Sequence, residues 1–473
     1  MLPKNKNYAV YPSVMLADTP TEFIIVPRER AFLLVEGQKY TVSIVDVNGD
    51  ELDYHAKSSH KFITAVAHDG VLRFTYTFEG EAEHLVILHR SEKVTERLPV
   101  FSLYEDLYNT VPLKGDLHTH SYRSDGQRDP AAFAGHMREQ GYDFFALTDH
   151  NRFYPGGEID EVYAGVKLGI TRIRGEEVHA PGAVFHTVHI GGNSSVAEKY
   201  IHNRKAFEKE VAECMKRVPD SIPEACKKRY ALAIWTTENI HKAGGLAIFP
   251  HPFWRPGEYV QNVRDDFAVT LLTSGLFDAY ELLGGQTDYY GVNRSVAMWN
   301  ELRAEKGLKI PVVGSSDVHN VQNAWTFPHF YTVAFAKDTS HDAIIEAIKN
   351  GNTVAVEDVG NEYERQYRCY GSWRLVTFAL FLFKHYFPEM QRIAAGEGVA
   401  MRSYAIGETE AATIELQVKQ SENFRARFLG KLPPVLPSPA MLAFEDKWRK
   451  THLELGPTTK GSAIDSDKIT RQI

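Results

Sequence analysis

Hydrophobic and polar positions change their period along the chain, and each change marks a boundary. Over residues 1–108 the period is two. Leu72, Phe74, Tyr76 and Phe78 alternate with Arg73, Thr75 and Thr77, and Tyr40, Val42 and Ile44 alternate with Thr41 and Ser43. Such alternation puts one face of a strand in a core and the other in water. Asn48-Gly49 and Asp69-Gly70 stand between these runs, and both dipeptides favour the positive φ angles of tight hairpin turns. The pattern predicts a small β-sandwich-like domain over 1–108. Its role is not legible; packing, oligomerisation and substrate gating all fit.

From 109 to 358 short apolar runs alternate with longer amphipathic stretches. Phe144–Leu147 follows a helical stretch from Asp129 to Gln140. Leu246–Phe249 follows a helix ending at Ala243, with Gly244-Gly245 as its stop. Ile310–Val313 follows Val292–Glu305, and Tyr331–Phe335 precedes the helix Ser340–Lys349, after which Thr353–Val356 follows. Alternating β and α units with buried strands predict an α/β domain around a parallel sheet, open or closed. A charged helical insertion is expected at 193–230. Residues 359–455 are expected to form a helical C-terminal region. Its apolar run from Leu375 to Phe383 predicts burial against another domain. Pro433, Pro434, Pro437 and Pro439 mark a connector, and 456–473 reads as a mobile tail.

Composition narrows the class. The chain has 473 residues, 43% hydrophobic and 24% charged, which excludes wholesale disorder. A formal charge of −8 is a poor basis for non-specific binding to nucleic acid or anionic membranes. Three cysteines, Cys214, Cys226 and Cys369, cannot build a disulfide framework or a thiolate-rich zinc site, and they suit a reducing, cytoplasmic setting. The N-terminal stretch lacks an apolar signal segment, and the most apolar run falls well short of the ~20 residues of a spanning helix.

Chemistry is concentrated at the ends of the apolar runs. In Lys114–His120, His118 and His120 are two apart, which on a strand points both imidazoles to one side. Alone the pair is a weak signal. It is followed by Asp125 in a Ser-Asp-Gly turn, by Thr148-Asp149-His150, by Gly175-Glu176-Glu177 and by His186-Thr187-Val188-His189. Pro250-His251-Pro252 and Ser316-Asp317-Val318-His319 come last. A cap or a solvated loop explains any one of these. Six successive strand ends carrying His, Asp or Glu point instead to convergence on divalent cations. Asp116 and Asp149, beside ligand histidines, are candidates for hydrogen bonding to them or for salt bridges elsewhere. His136, and His55, His60, His68, His84 and His89 of the β domain, read as structural; His179 is ambiguous.

This ordered series resembles the PHP family, the polymerase and histidinol phosphatase superfamily, over residues 112–358. A β domain in front of such a series is similar to the family's multidomain metallohydrolase branch. The resemblance implies a distorted seven-stranded (β/α) barrel with two or three divalent ions (Mn, Zn or Fe) at its mouth. One ion would take His118, His120, Glu177 and Asp317. A second would share Glu177 and add His189 and His251, and a third would take Asp125, His150 and His319. Glu177 is preferred to Glu176 as the bridging carboxylate, and His189 to His186 as a ligand, with His186 left to contact substrate. His251 and His319 are also the candidate catalytic residues, His251 as a leaving-group acid. Arg152 and Arg255 are candidate substrate-binding residues, since an arginine fork suits phosphate.

These readings predict a metal-dependent phosphoesterase acting on a phosphomonoester or a small phosphodiester through a metal-bridging hydroxide. Hydrolysis of a carboxylic ester, amide or carbamate at the same centre is the alternative, and a non-catalytic metal-binding module the third. The expected partner is a small, phosphorylated molecule; nucleic acid is disfavoured, no membrane is expected, and a homo-oligomer is compatible.

Overall fold

The computed structural model of the protein describes residues 7–47, 60–91, 94–256, 259–286, 288–322, 324–360 and 365–454. Asn48-Gly49, His55 and the polar tail at 456–473 lie outside the described residues. The chain divides into two compact units. One holds Asn109–Glu422; the other holds the described residues up to Tyr108 together with those from Asn423 onward. Among the described residues no helix is long and apolar enough to cross a membrane.

Among the described residues the second of these units is built on eight strands: β1 (Tyr8–Tyr11), β2 (Val14–Leu16), β3 (Thr21–Pro27), β4 (Lys39–Asp46), β5 (Lys61–His68), β6 (Val71–Tyr76), β7 (Ala82–His89) and β8 (Thr95–Leu103). Their order is β1-β3-β6-β5-β4-β7-β8-β2. β5 pairs with β4 along Lys61–Val66 and with β6 at Ala67 and His68. One strand therefore serves both halves, and the expected sandwich is a single sheet folded over its core. Val42, Ile44, Leu72 and Phe74 are buried in that core while Arg73 and Thr75 are exposed, as the alternation requires. Asp69 and Gly70 carry φ of 54° and 75° at the β5–β6 turn, the left-handed pair that a tight hairpin needs. The helix Pro439–Glu454 belongs to this unit, where Phe444 lies under the Arg30 guanidinium, 5.1 Å from the ring centroid.

Among the described residues the Asn109–Glu422 unit contains ten strands: β9 (Val111–Asp116), β10 (Phe144–Leu147), β11 (Thr171–Val178), β12 (Thr187–Ile190), β13 (Leu246–Phe249), β14 (Ala279–Leu283), β15 (Val312–Gly314), β16 (Phe330–Ala336), β17 (Thr353–Gly360) and β18 (Arg365–Tyr370). They form one mixed sheet in the order β15-β14-β13-β12-β11-β10-β9-β16-β17-β18. β9–β11 are parallel, as are β13–β15, but β12 runs antiparallel to both of its neighbours. The expectation of a parallel sheet fails there because residues 179–186 are too few for a crossover helix, and it fails again at β16, β17 and β18, which pair antiparallel with β9 and with one another. Past their ends, β9 and β15 meet: Asp317 N–H donates to His118 O at 2.9 Å and His120 N–H to Val318 O at 3.0 Å. The sheet is thereby nearly closed. Leu113, Ala146, Ile173, Val188, Ile248, Ala279 and Val313, one from each of β9–β15, share a buried core.

Helices cover this sheet with ordinary local chemistry. Pro130–Glu139 is capped by Asp129, which accepts from Ala132 N–H at 2.9 Å. The segment at 193–230 contains the helices Ala197–His202 and Arg204–Met215. Phe207, Val211 and Cys214 face inward, and Lys205, Glu208 and Lys209 face solvent. The apolar helix Trp373–His385 packs on strands of its own unit: Phe378 lies 5.7 Å from Phe335 and Phe383 stacks 4.3 Å from Tyr367. The next helix, Phe387–Ala405, delivers Glu397 to the fully buried Arg138 at 2.7 Å. The C-terminal stretch from 359 is thus shared between the two units rather than standing apart.

Candidate metal centre

The strand ends at one mouth of the nearly closed sheet carry most of the candidate side chains. His118 and His120 follow β9, His150 follows β10, Glu177 lies in β11, His186 precedes β12, His251 follows β13, and Asp317 and His319 follow β15. Asp125 arrives from a turn that Gly126 makes possible, since a Cβ there would lie 2.3 Å from His120 O. Asn151, His251 and Asp317 adopt φ of 55°, 22° and 52°. Such left-handed backbone is costly for these residues and persists where the surroundings enforce it, as at functional sites.

Two buried carboxylates build the loops. Asp116 accepts from the backbone N–H groups of His118 and Ser316 at 3.2 and 3.0 Å, tying the end of β9 to the end of β15. Asp149 accepts from the hydroxyls of Ser121 and Ser124 at 2.7 and 2.6 Å and from both of their backbone N–H groups, fixing the turn that carries Asp125. Both acids therefore hold loop backbone rather than imidazole rings. Burial pushes the Asp116 carboxyl up to about 7, against the lowering effect of the Ser316 and His118 hydrogen bonds.

At the centre lies Glu177, 1% exposed. Six imidazoles approach its carboxylate: His118 at 3.4 Å, His120 at 3.6, His150 at 2.8, His179 at 3.4, His186 at 2.8 and His251 at 3.1 Å. The ligand atoms fall into groups. His118, His120, Glu177 and Asp317 form one, Glu177, His186 and His251 a second, and His120, Asp125, His150 and His319 a third. His150, Glu177 and His179 also lie together.

The donor set fits divalent cations. His118 Nε2, His150 Nδ1, His179 Nε2, His186 Nδ1 and Glu177 Oε2 are buried without an aligned hydrogen-bond partner among the described residues. Burying unpaired polar atoms is expensive. Nitrogen lone pairs and carboxylate oxygens turned toward each other are satisfied by a shared cation. With no cysteine among them, the mixed nitrogen and oxygen donors suit Mn, Fe or Zn.

Several rings are fixed from behind. His118 Nδ1–H donates to Glu281 at 2.9 Å, which leaves Nε2 for the centre. His319 Nδ1–H donates to Asp317 O at 2.9 Å and turns Nε2 toward Asp125, 3.2 Å away. Charges in the cluster are set against one another. Burial opposes charge on His118, but Asp317, Glu177 and Glu281 outweigh it and hold the ring well above the usual imidazole value. His150 is lifted to about 10 by Asp125 and Glu177 despite its burial. Burial prevails at His120, driven down to about 3, and at His186, driven down to about 4. Glu177 is held well below the carboxylate range because His186 and His118 more than offset its burial.

Two sequence-derived placements are revised, those of His189 and His186. His189 does not reach the cluster. β12 pairs with β11 so that His189 lies opposite Glu176 and Val188 opposite Glu177. His189 and Glu176 thus share the reverse face, with Nδ1 3.3 Å from the carboxylate and the ring stacked on Phe153. His186 takes the position expected of His189. Arg255 is engaged by Asp288 and lies over the Tyr290 ring at 4.9 Å, and Arg152 is exposed after the His150 loop. One residue, Glu281, escaped the sequence reading, and a second, His179, is left ambiguous by it. Glu281 is a lone acid inside the apolar run Ala279–Leu283, which is itself a signal of function. His179 shares strand parity with Glu177, and that spacing could have placed it on the same face.

No protein-family model and no curated protein matches the chain. Solved structures do. A two-domain protein containing a predicted PHP-like metal-dependent phosphoesterase, from Bacteroides vulgatus, is 20% identical with a TM-score of 0.36 over 56% of this chain and 76% of that one. A candidate metal-dependent phosphoesterase from Bifidobacterium adolescentis is 16% identical (TM-score 0.31, 43% of this chain, 87% of that one). An amidohydrolase from Chromobacterium violaceum is 17% identical (TM-score 0.29, 44% of this chain, 88% of that one).

Proposed function

We propose that the protein is a metal-dependent hydrolase that cleaves a phosphomonoester or a small phosphodiester. The observation that carries this reading is the buried Glu177 carboxylate with six imidazoles within 3.6 Å. Strands β9–β15, which with their flanking loops supply these groups, are read as a seven-stranded PHP-type barrel, with β16–β18 as additions. Two or three Mn, Zn or Fe ions would be held by the first three groups described above, with His186 in the second. When bound, such ions make water nucleophilic near neutral pH and offset the charge that develops on ester oxygens.

The protein's own residues prepare that chemistry. Glu177 offers one oxygen toward His186 and His251 and the other toward His118, His120 and His150, so a single carboxylate can bridge neighbouring positions. Glu281 and the Asp317 carbonyl fix the tautomers of His118 and His319. His251 is 2% exposed and turned to Glu177, a placement that suits a ligand better than a leaving-group acid. His319, 35% exposed in its side chain, is the better placed of the two to meet substrate. The Trp254 ring lies 5.8 Å from His186 and 6.3 Å from His251.

A second reading, hydrolysis of a carboxylic ester, amide or carbamate, draws on the rim. Arg255 is already engaged by Asp288 and Tyr290, which leaves less cationic charge for a phosphate dianion. The test is a substrate panel on Mn-loaded protein. Phosphate release from phosphomonoesters or small diesters is expected. Turnover of aryl carbamates or esters without any phosphoester turnover would favour the second reading, and inactivity on both panels would sink both.

A further inference from the structure

Five of the six imidazoles around Glu177 belong to the three ligand groups assigned above; His179 does not. Its side chain is 30% exposed, yet Nε2 is shielded from solvent, unpartnered among the described residues, and 3.4 Å from Glu177 Oε2. His150 Nδ1 approaches the same oxygen to 2.8 Å and is equally unpartnered. The three donor atoms lie within 4.8 Å of one another.

His179 is also held in place. Asn151, left-handed at φ 55°, accepts through Oδ1 from His179 N–H at 2.8 Å and from the Tyr200 hydroxyl at 2.5 Å. The ring stacks on His186 with centroids 3.7 Å apart. A histidine placed to meet substrate would present its nitrogen to the opening. His179 presents Nε2 to the buried carboxylate.

We propose that His179 is a metal ligand, and that His150 Nδ1, Glu177 Oε2 and His179 Nε2 form a fourth position for a divalent cation. The inference rests on the metal-centre reading above. His150 Nε2 faces Asp125 at 3.3 Å, and a neutral imidazole has one lone pair, so this ring serves one side at a time. A cation in this position therefore takes His150 from the third group, which keeps His120, Asp125 and His319, and the buried Glu177 favours that exchange over the Asp125 side chain, which is 55% exposed.

Co(II) titration of metal-stripped protein tests this, with bound equivalents counted by elemental analysis and ligand geometry followed by visible absorption. His179→Gln, which keeps the bulk, and His179→Ala are compared with wild type after circular dichroism has established that they fold. Both are expected to change the absorption of bound Co(II) and to weaken at least one equivalent tenfold or more. Spectra and affinities matching wild type in both variants would overturn the proposal. A wild-type protein that takes up no Co(II) would instead remove the metal centre itself, and this inference with it.

Discussion

Glu176 and Glu177 are neighbours in one strand, both fully buried, with opposite surroundings. Glu176 accepts from Ser195 Oγ at 2.7 Å and from the backbone N–H groups of Val196 and Ala197 at 2.5 and 3.3 Å. Those groups are neutral hydrogen donors, and they satisfy a carboxylate by themselves. Glu177 meets imidazole nitrogens, several of which have no aligned proton to give. The histidines divide the same way, His189 with Glu176 and His186 with Glu177. Burial of an acid therefore says little about its role; what matters is whether its neighbours bring protons or lone pairs.

The sharpest way to break this comparison is to exchange the two acids for amides one at a time. Glu177→Gln is expected to abolish stoichiometric cation uptake and to lower kcat by about 10³-fold or more, about 4 kcal/mol in barrier. Glu176→Gln should keep the cations and cost about 1–3 kcal/mol of stability. Elemental analysis and denaturant melts read both, and equal cation loss in the two variants would end the distinction.

The histidine pair gives the next largest effect. His186→Gln should lose one cation equivalent, whereas His189→Gln should keep all of them and melt earlier. Smaller again is Glu281→Gln, which removes the carboxylate that orients His118. It should weaken cation binding by about 10–100-fold, measured by competition with a chelating dye.

Acidity sharpens the comparison at the level of protons. In metal-free protein His186 has its value lowered to about 4, against ~6.5 in an unfolded chain. The unfolded state then binds the extra proton, so the contribution of His186 is full above pH 6.5 and is lost as pH falls toward 4. His118 and His150 are raised, and their contribution is lost in the other direction, as pH rises above 6.5. Stability of chelated wild type should therefore fall between pH 6.5 and 4 more steeply than that of His186→Gln, by up to about 1.4 kcal/mol per pH unit. Parallel curves would count against a neutral His186. Arg255→Ala should have the smallest effect, a few-fold change in KM, if Asp288 rather than substrate is its main partner.

Much of the candidate site was legible because its residues sit where strands end. His118, His120, Asp125, His150, Glu177, His251, Asp317 and His319 all come from short motifs that follow or end apolar runs, and the structure brings them to one mouth. The alternations at Tyr40–Ile44 and Leu72–Phe78 likewise locate strands without tertiary information, because the period of two is a local property. Asp69-Gly70 needed nothing beyond its own backbone preference.

Other features depended on partners distant in the chain. The sequence determined that His186 and His189, three apart, face opposite sides of a strand, but not which side is the mouth. That was decided by β12 running antiparallel to β11, in a register that sets His189 opposite Glu176. Glu281 could be seen as an acid in an apolar run, yet its meaning came from His118, 163 positions earlier, arriving at 2.9 Å. Periodicity fixes which residues share a face, since that follows from the geometry of the chain itself. Strand direction and register fix what each face meets, and those are set by pairing between segments whose spacing in sequence carries no such information.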